Sequence, residues 1–149
     1  VDPSTVGPAL SIRPGSKILC ADDSALARGL IENGLKAMGV QVVMTKSGQE
    51  AWDMLGEIAD LTASKGATVR DEIALVLTDL EMPEMDGFTL TRKIKADARL
   101  KSLPVVIHSS LSGEASEEHV RKVGADAYVS KFLAKDLADT IRGVLARHP

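Results

Sequence analysis

From Lys17 onward, short apolar runs alternate with amphipathic stretches. The runs predict strands at Lys17–Ala21, Gln41–Lys46, Ala74–Thr78, Val105–Ser109 and Ala127–Ser130. Several are apolar without strict alternation, which is typical of strands covered on both faces. The amphipathic stretches predict helices at 24–38, 48–64, 87–96, 114–123 and 134–146. Five strands alternating with five helices predict an α/β fold, in which an open parallel sheet carries helices on both faces.

The first helix candidate has the clearest pattern. Spacings of i, i+3 and i+4 predict one buried face formed by Ala27, Leu30, Ile31, Gly34, Leu35 and Met38. Ser24 is the expected N-cap, and Gly39 is the expected C-terminal stop. Residues 65–72, after the second helix candidate, are polar and predict a loop.

Residues 1–15 differ from the rest of the chain. They contain three of the six prolines and little apolar periodicity. We interpret them as a linker or a remnant of cloning, and residues 16–149 as one domain. The 149 residues are 44% hydrophobic and 26% charged, which is the balance of a globular domain that can bury a core.

Charge and composition exclude several classes of function. Lys and Arg number 18 and Asp and Glu 21, so the net charge of −3 argues against binding nucleic acid or anionic membranes by bulk charge. Aromatic residues, at 3%, are too few for a base-stacking surface. The single cysteine, Cys20, excludes an intramolecular disulfide and is expected to be a buried small hydrophobe. No signal-peptide pattern or membrane-length apolar run is seen, so a cytoplasmic location without direct membrane contact is expected.

Polar residues stand where the predicted strands end. The first strand runs into Asp22 and Asp23, the third into Asp79, the fourth ends at Ser109, and the fifth runs into Lys131. In a doubly wound sheet, ligands bind beyond these carboxyl ends. Three carboxylates packed together need a cation, and Mg²⁺ accepts carboxylates and water. A metal, a lysine and a hydroxyl around one carboxylate are the parts needed to place a phosphoryl group on it.

Each of these residues also has a purely structural explanation. The acidic pair could cap a helix, Asp79 could belong to a turn, Ser109 could be a cap, and Lys131 a solvated surface charge. Their joint occurrence at four strand ends favours a site. His108 is expected to be structural rather than catalytic.

The chain from Lys17 to about Val144 resembles the receiver domain of bacterial two-component response regulators, the family of CheY. The segment from Asp79 to Gly87 (DLEMPEMDG) is similar to the family's phosphoacceptor segment. Asp22 and Asp23 match its acidic pair, Ser109 its switch position, and Lys131 its lysine. The resemblance implies a flavodoxin-like (βα)5 fold with a parallel sheet in the order 2-1-3-4-5.

The resemblance also implies a mechanism. Asp79 would accept a phosphoryl group from a histidine kinase. Asp23, Asp79 and the backbone carbonyl of Glu81 would bind Mg²⁺ directly, and Asp22 would bind it through water. Ser109 would turn toward the phosphoryl group, and Tyr128 would enter the vacated space. Helices 114–123 and 134–146 and the fifth strand would then form the output face.

Shorter segments indicate a subtype. Residues 108–113 (HSSLSG), 124–126 (GAD) and Lys131-Phe132 are similar to the receiver of CheV-type chemotaxis coupling proteins, in which a CheW-like domain precedes the receiver. This implies a fragment that modulates receptor–kinase coupling, with a CheA-like kinase and a chemoreceptor or coupling complex as partners. Phe132 stands where many receivers have proline after a cis bond. Because a non-proline cis bond costs about 2.5–4 kcal/mol, we predict a trans bond there.

Other functions stay open. Within the same class, the chain could be a stand-alone CheY-type receiver or a phosphate sink. A Mg²⁺-dependent phosphohydrolase similar to haloacid dehalogenases is a rival, but the Asp-x-Asp motif of those enzymes is absent after the first strand. A degenerate receiver that acts only by binding is disfavoured by the complete set of site residues. We expect a signalling domain, not an enzyme, which assists only its own phosphotransfer and dephosphorylation.

Overall fold

A computed structural model describes residues 16–80, 82, 84–109, 120–130 and 134–147. Its strands are β1 (Lys17–Ala21), β2 (Gln41–Thr45), β3 (Ile73–Asp79), β4 (Val105–Ser109) and β5 (Ala127–Ser130). Its helices are α1 (Ala25–Ala37), α2 (Gly48–Ser64), α3 (Val69–Glu72), α4 (Gly87–Ala96) and α5 (Ala134–Arg147). Residues 120–122 are also helical and belong to the helix predicted at 114–123; residues 114–119 lie outside the described part.

The five strands form one parallel sheet in the order β2-β1-β3-β4-β5. The α/β, flavodoxin-like fold and its strand order are therefore confirmed. The central strand β3 is buried along all seven residues. This explains why its sequence is a continuous apolar run rather than an alternating one.

Two apolar layers cover the two faces of the sheet. Successive strand residues point to opposite faces, so each strand contributes to both layers. The first layer joins the sheet to α1 and α5 and includes Ile18, Cys20, Leu75, Leu77, Val106, Val129, Ile31, Leu35, Ile141 and Val144. The second joins the sheet to α2 and α4 and includes Leu19, Val76, Val105, Leu55, Leu90 and Ile94. Cys20 is buried in the first layer, as predicted.

Helix α1 confirms both predicted ends and corrects the predicted face. The Ser24 hydroxyl accepts a hydrogen bond from the Ala27 N–H at 3.2 Å, and Gly39 has a φ of 79°. Of the predicted face, Ala27, Ile31, Leu35 and Met38 are buried. The prediction for Leu30 was wrong, because its residue is 54% exposed. At 100° per residue, Leu30 lies about 95° from the centre of the buried stripe, beyond the reach of the sheet. Gly34, nearer that centre, is partly buried.

The segment 65–72 was predicted to be a loop, and this was wrong for its second half. The single-turn helix α3 spans Val69–Glu72. The Thr68 N–H donates to the Asp71 carboxylate at 2.8 Å, which closes the turn, and Val69 is buried against the second layer. A few local hydrogen bonds around Thr68 and Asp71 and one buried side chain are enough to form this turn.

The other strands, and the helices apart from the one predicted at 114–123, agree with their predictions to within one residue at each end. The start of the helix predicted at 114–123 lies outside the described residues. The predicted linker at 1–15 and the predicted trans bond at Lys131–Phe132 lie outside the described residues. Within the part of the chain that is described, no helix has the length and apolar content needed to cross a membrane.

Candidate functional site

Three polar side chains lie on the same face of the sheet, at the carboxyl ends of β1, β3 and β4. The first apolar layer contains Cys20 of β1, Leu77 of β3 and Val106 of β4. Because side chains alternate along a strand, the residues two positions further on are directed to the same face. These residues are Asp22, Asp79 and His108. Their ligand atoms lie within 4.8 Å of one another, and all three residues are buried.

Asp79 ends the central strand and is 5% exposed. One carboxylate oxygen, Oδ1, accepts a hydrogen bond from the Leu80 N–H at 2.8 Å, which fixes the direction of the carboxylate. The Gly87 N–H donates to the Leu80 carbonyl at 2.8 Å, so the start of α4 is held against the end of β3. A Cβ on Gly87 would overlap the Asp79 carbonyl oxygen, so this approach requires glycine.

The acidic pair is divided between the interior and the surface. Asp22 is 0% exposed, whereas Asp23 is exposed. The Asp22 Oδ1 accepts from the Ser24 N–H at 2.9 Å, and the Asp22 N–H donates to the Thr45 carbonyl at 3.1 Å. These bonds turn the Asp22 carboxylate toward Asp79. Asp23 does not belong to the buried cluster of Asp22, Asp79 and His108.

His108 was expected to be structural, and the structure places it in the cluster. It is 1% exposed, pairs in register with Asp79, and its Nε2 lies 3.8 Å from the Asp22 Oδ2. A signal for this position exists in the sequence. His108 follows Val106 by two residues, as Asp79 follows Leu77 and Asp22 follows Cys20.

The other predicted site residues are placed in part. Ser109 ends β4 and pairs in register with Ser130, but its side chain is outside the described part. Glu81 and Lys131 also lie outside the described residues. Tyr128 is half-buried in β5 and packs on the cluster of Leu80, Ile107, Val120 and Val123. This position fits both a switch residue and an ordinary strand residue.

The donor set fits a divalent cation. The carboxylates of Asp22 and Asp79 lie close together in the protein interior. A bound cation would stabilise two negative charges in such a low-dielectric environment. Carboxylate oxygens are ligands that Mg²⁺ takes, and a third carboxylate, that of the exposed Asp23, follows Asp22 in the chain. Asp79 is at once a cluster member and, at a strand end, a carboxylate in position to act as a nucleophile.

Sequence comparisons give the relatives of this chain. A family model described as response regulator receiver domain matches residues 18–142. The chemotaxis protein CheV3 of Helicobacter pylori is 30% identical over 132 residues, which are 89% of this chain and 42% of that protein. The chemotaxis protein CheY1 of the same organism is 31% identical over 131 residues, 87% of this chain and 96% of that protein. The chain thus spans less than half of the CheV relative and nearly all of the CheY relative.

Solved structures show the same fold. The receiver domain of the histidine kinase CKI1 from Arabidopsis thaliana, solved with Mg²⁺, is 30% identical with a TM-score of 0.77, covering 89% of this chain and 93% of that one. The chemotaxis protein CheY4 of Vibrio cholerae, at 22% identity, has a TM-score of 0.70 and covers 87% and 98%.

Proposed function

The chain belongs to the response regulator receiver domain family, and we propose that it accepts a phosphoryl group on Asp79 from a histidine kinase. Receiver domains of two-component and chemotaxis systems are signalling modules rather than classical enzymes. The observation that carries the proposal is the position of Asp79. It ends the central strand, is almost completely buried, and lies beside a second buried carboxylate, Asp22.

In the proposed step, a carboxylate oxygen of Asp79 attacks the phosphorus of a phosphohistidine. A P–O bond forms, the P–N bond breaks, and its electron pair goes to the leaving imidazole. The product is an acyl phosphate on Asp79. The hydrogen bond from the Leu80 N–H holds the carboxylate in one orientation, so that little rotational freedom is lost on reaction.

We assign Mg²⁺ binding to Asp22, Asp23, Asp79 and the backbone carbonyl of Glu81. Two of these, Asp22 and Asp79, lie together in the buried cluster, and Asp23 adjoins it at the surface. The carbonyl of Glu81 is included because the resemblance to the family assigns it as a ligand. When bound, Mg²⁺ neutralises charge on the phosphoryl oxygens. The carboxylates of Asp22 and Asp23 hold the ion and do not react.

Three further residues are assigned to the response. The Lys131 ammonium pairs with the phosphoryl oxygens, and the Ser109 hydroxyl donates a hydrogen bond to them. Ser109 stands at the end of β4, beside the strand that carries Asp79. Tyr128 then turns inward and changes the surface formed by β5, α5 and the helix that ends at 122. New charge and new hydrogen bonds thereby bias a two-state element.

The output is a change of protein contacts, and we favour a CheV-like role in receptor–kinase coupling. The partners are a CheA-like kinase and a chemoreceptor or coupling complex, in the cytoplasm. Residues 16–149 are the receiver, and 1–15 are its linker. A stand-alone CheY-type role is the second candidate, because the chain spans 96% of CheY1. A gene that encodes a CheW-like domain upstream supports the first role, and a gene without one supports the second.

The test is the intact mass of the chain after incubation with Mg²⁺ and phosphoramidate, with phosphate release measured in the same samples. Asp79→Asn removes the acceptor. Asp86→Asn is the matched control, because the Asp86 Oδ1 accepts from the Thr89 N–H at 2.7 Å and asparagine can also cap a helix.

One added phosphoryl group is expected on the unchanged chain and on Asp86→Asn. No adduct is expected on Asp79→Asn or without metal. An adduct on Asp79→Asn would refute Asp79 as the acceptor. Neither adduct nor released phosphate from the unchanged chain would refute phosphoryl acceptance and favour a domain that signals by binding alone.

A further inference from the structure

We propose that His108 is a metal ligand, and that it gives this pocket a preference for d-block divalent ions such as Co²⁺ and Zn²⁺ over Mg²⁺. This deepens the proposed function and rests on it, since Asp22 and Asp79 are the other ligands. The observation is the buried cluster itself, in which one imidazole nitrogen and two carboxylate oxygens lie within 4.8 Å of one another.

The spacing of His108 and Asp22 is that of two ligands of one ion. Their Nε2 and Oδ2 atoms are 3.8 Å apart. A hydrogen bond between such atoms is about 2.7–3.2 Å long. Two ligands at about 2.0–2.2 Å from a common ion lie at most about 4.4 Å apart. The observed separation is therefore longer than a hydrogen bond, and it lies within the range for shared coordination as well as within that for an ion pair.

The surroundings of His108 also indicate that its imidazole serves a polar or metal-binding role rather than apolar packing. On its face of the sheet, β4 and β5 supply Val106 and Val129, and both are buried. A third valine at 108 would complete this layer without burying ring nitrogens. Burying an imidazole costs free energy unless its nitrogens find polar or metal partners. Among the described residues, carboxylate oxygens of Asp22 and Asp79 lie within 4.8 Å of a ring nitrogen of His108.

The chemistry of the donors gives the preference. Mg²⁺ takes oxygen ligands and retains several waters. Imidazole nitrogen binds Co²⁺, Ni²⁺, Cu²⁺ and Zn²⁺ far better, and affinity rises along the first-row series up to copper. A pocket with two carboxylates and one imidazole therefore gains affinity for these ions from His108 and gains little for Mg²⁺.

The experiment titrates the chain with Co²⁺, followed by its visible d–d absorption, and separately with Mg²⁺ by calorimetry. His108→Val removes the imidazole and keeps an apolar side chain. The control His148→Gln removes another histidine of the same chain. Pulsed EPR of bound Cu²⁺ supplies a second readout, because this ion favours imidazole nitrogen and a coordinated imidazole gives a ¹⁴N coupling.

His108→Val should weaken Co²⁺ binding by at least about tenfold and change Mg²⁺ binding by less than about threefold. The unchanged chain and His148→Gln should show the ¹⁴N coupling, and His108→Val should lose it. A Co²⁺ affinity unchanged by His108→Val, or no ¹⁴N coupling in the unchanged chain, would overturn the proposal.

Two controls separate the possible failures. If His108→Val does not fold, the EPR measurement on the unchanged chain decides the matter alone. If Mg²⁺ binds and Asp79 is phosphorylated, but the Co²⁺ affinity is the same in His108→Val as in the unchanged chain, only the present inference fails. If no divalent ion binds and no phosphoryl group is accepted, the proposed function fails as well.

Discussion

Replacing Gly87 with alanine should disturb the contact between the start of α4 and the end of β3, which carries Asp79. A Cβ at this position would overlap the Asp79 carbonyl oxygen and lie 3.1 Å from its carbon and 3.0 Å from the Leu80 Cα. All three are backbone atoms, so none can rotate away as the end of a side chain would. Either the start of α4 or the end of β3 must move.

The size of the effect follows from two opposing terms. Forcing an extra methyl group into a packed position costs about 1–3 kcal/mol. Alanine recovers up to about 1 kcal/mol relative to glycine in a helix. Subtracting the second term, up to about 1 kcal/mol, from a mid-range cost of about 2 kcal/mol gives an expected net loss of about 1–2 kcal/mol in the free energy of unfolding. At about 2–4 °C per kcal/mol for a chain of this size, Tm should fall by about 2–8 °C.

Phosphoryl transfer should also become slower, because the added methyl group presses on backbone atoms of Asp79, the proposed acceptor. A displacement of a few tenths of an ångström to 1 Å at a reacting group can cost up to about 100-fold in rate, and we expect at least a tenfold slower adduct. Thermal unfolding is followed by circular dichroism and by the fluorescence of the single tryptophan, Trp52. The adduct is followed by intact mass at a temperature where the variant is folded.

The matched control is Gly56→Ala, in the middle of α2. A Cβ there meets nothing within 4 Å. Alanine should therefore stabilise the chain by about 0.5–1 kcal/mol and leave phosphorylation unchanged. If Gly87→Ala is as stable as Gly56→Ala and is phosphorylated at the normal rate, the steric argument is wrong.

Three further predictions concern stability and are measured by urea denaturation. Asp126→Ala should cost about 1–3 kcal/mol, because the Asp126 Oδ2 accepts from the buried Val105 N–H at 2.7 Å. Ile31→Ala should cost about 2–5 kcal/mol, whereas Leu30→Ala, at an exposed position, should stay within about 0.5 kcal/mol. Ser24→Ala should cost about 1 kcal/mol through the lost N-cap without changing Mg²⁺ affinity, because Asp22 accepts from the backbone N–H of residue 24.

Each has an outcome that would contradict it. Asp60→Ala is the control for Asp126→Ala, since it removes an ion pair with Arg99 that is exposed and screened by solvent, and a much smaller loss of stability is expected. Equal losses in the two variants would refute the importance of the buried hydrogen bond. If Leu30→Ala loses nearly as much stability as Ile31→Ala, Leu30 belongs to the buried face of α1, as the sequence pattern predicted. A weaker Mg²⁺ affinity in Ser24→Ala would show that the hydroxyl, and not the backbone, positions Asp22.

Most of the fold could be predicted from local patterns. The five apolar runs gave five strands, and four of the five amphipathic stretches gave helices, that agree with the structure to within about a residue; the fifth stretch, 114–123, is described only from residue 120 onward. The cap at Ser24 and the stop at Gly39 were also readable, because capping depends on a few neighbouring residues. The strand order came from the family resemblance and is confirmed. The single turn α3 was missed because it is short and buries only Val69.

The candidate site was predictable in part. Asp22 and Asp79 could be placed at one sheet edge because parallel strands end at the same edge. The assignments of Glu81, Lys131 and Ser109, and of Tyr128 as a switch, stay predictions. The position of His108 beside Asp22 and Asp79 was not predicted, because a histidine in an apolar strand has a structural explanation when it is considered alone.

The sequence by itself determined which residues form strands, which form helices, and which carboxylates lie at the strand ends. These depend on periodicity and on neighbouring residues. Only the tertiary structure decided that Leu30 faces solvent, that Asp22 is buried while Asp23 is exposed, and that His108 lies 3.8 Å from Asp22. Those facts depend on the register in which the strands pair and on how the helices pack against the sheet. Both bring together residues that are more than 80 positions apart in the chain.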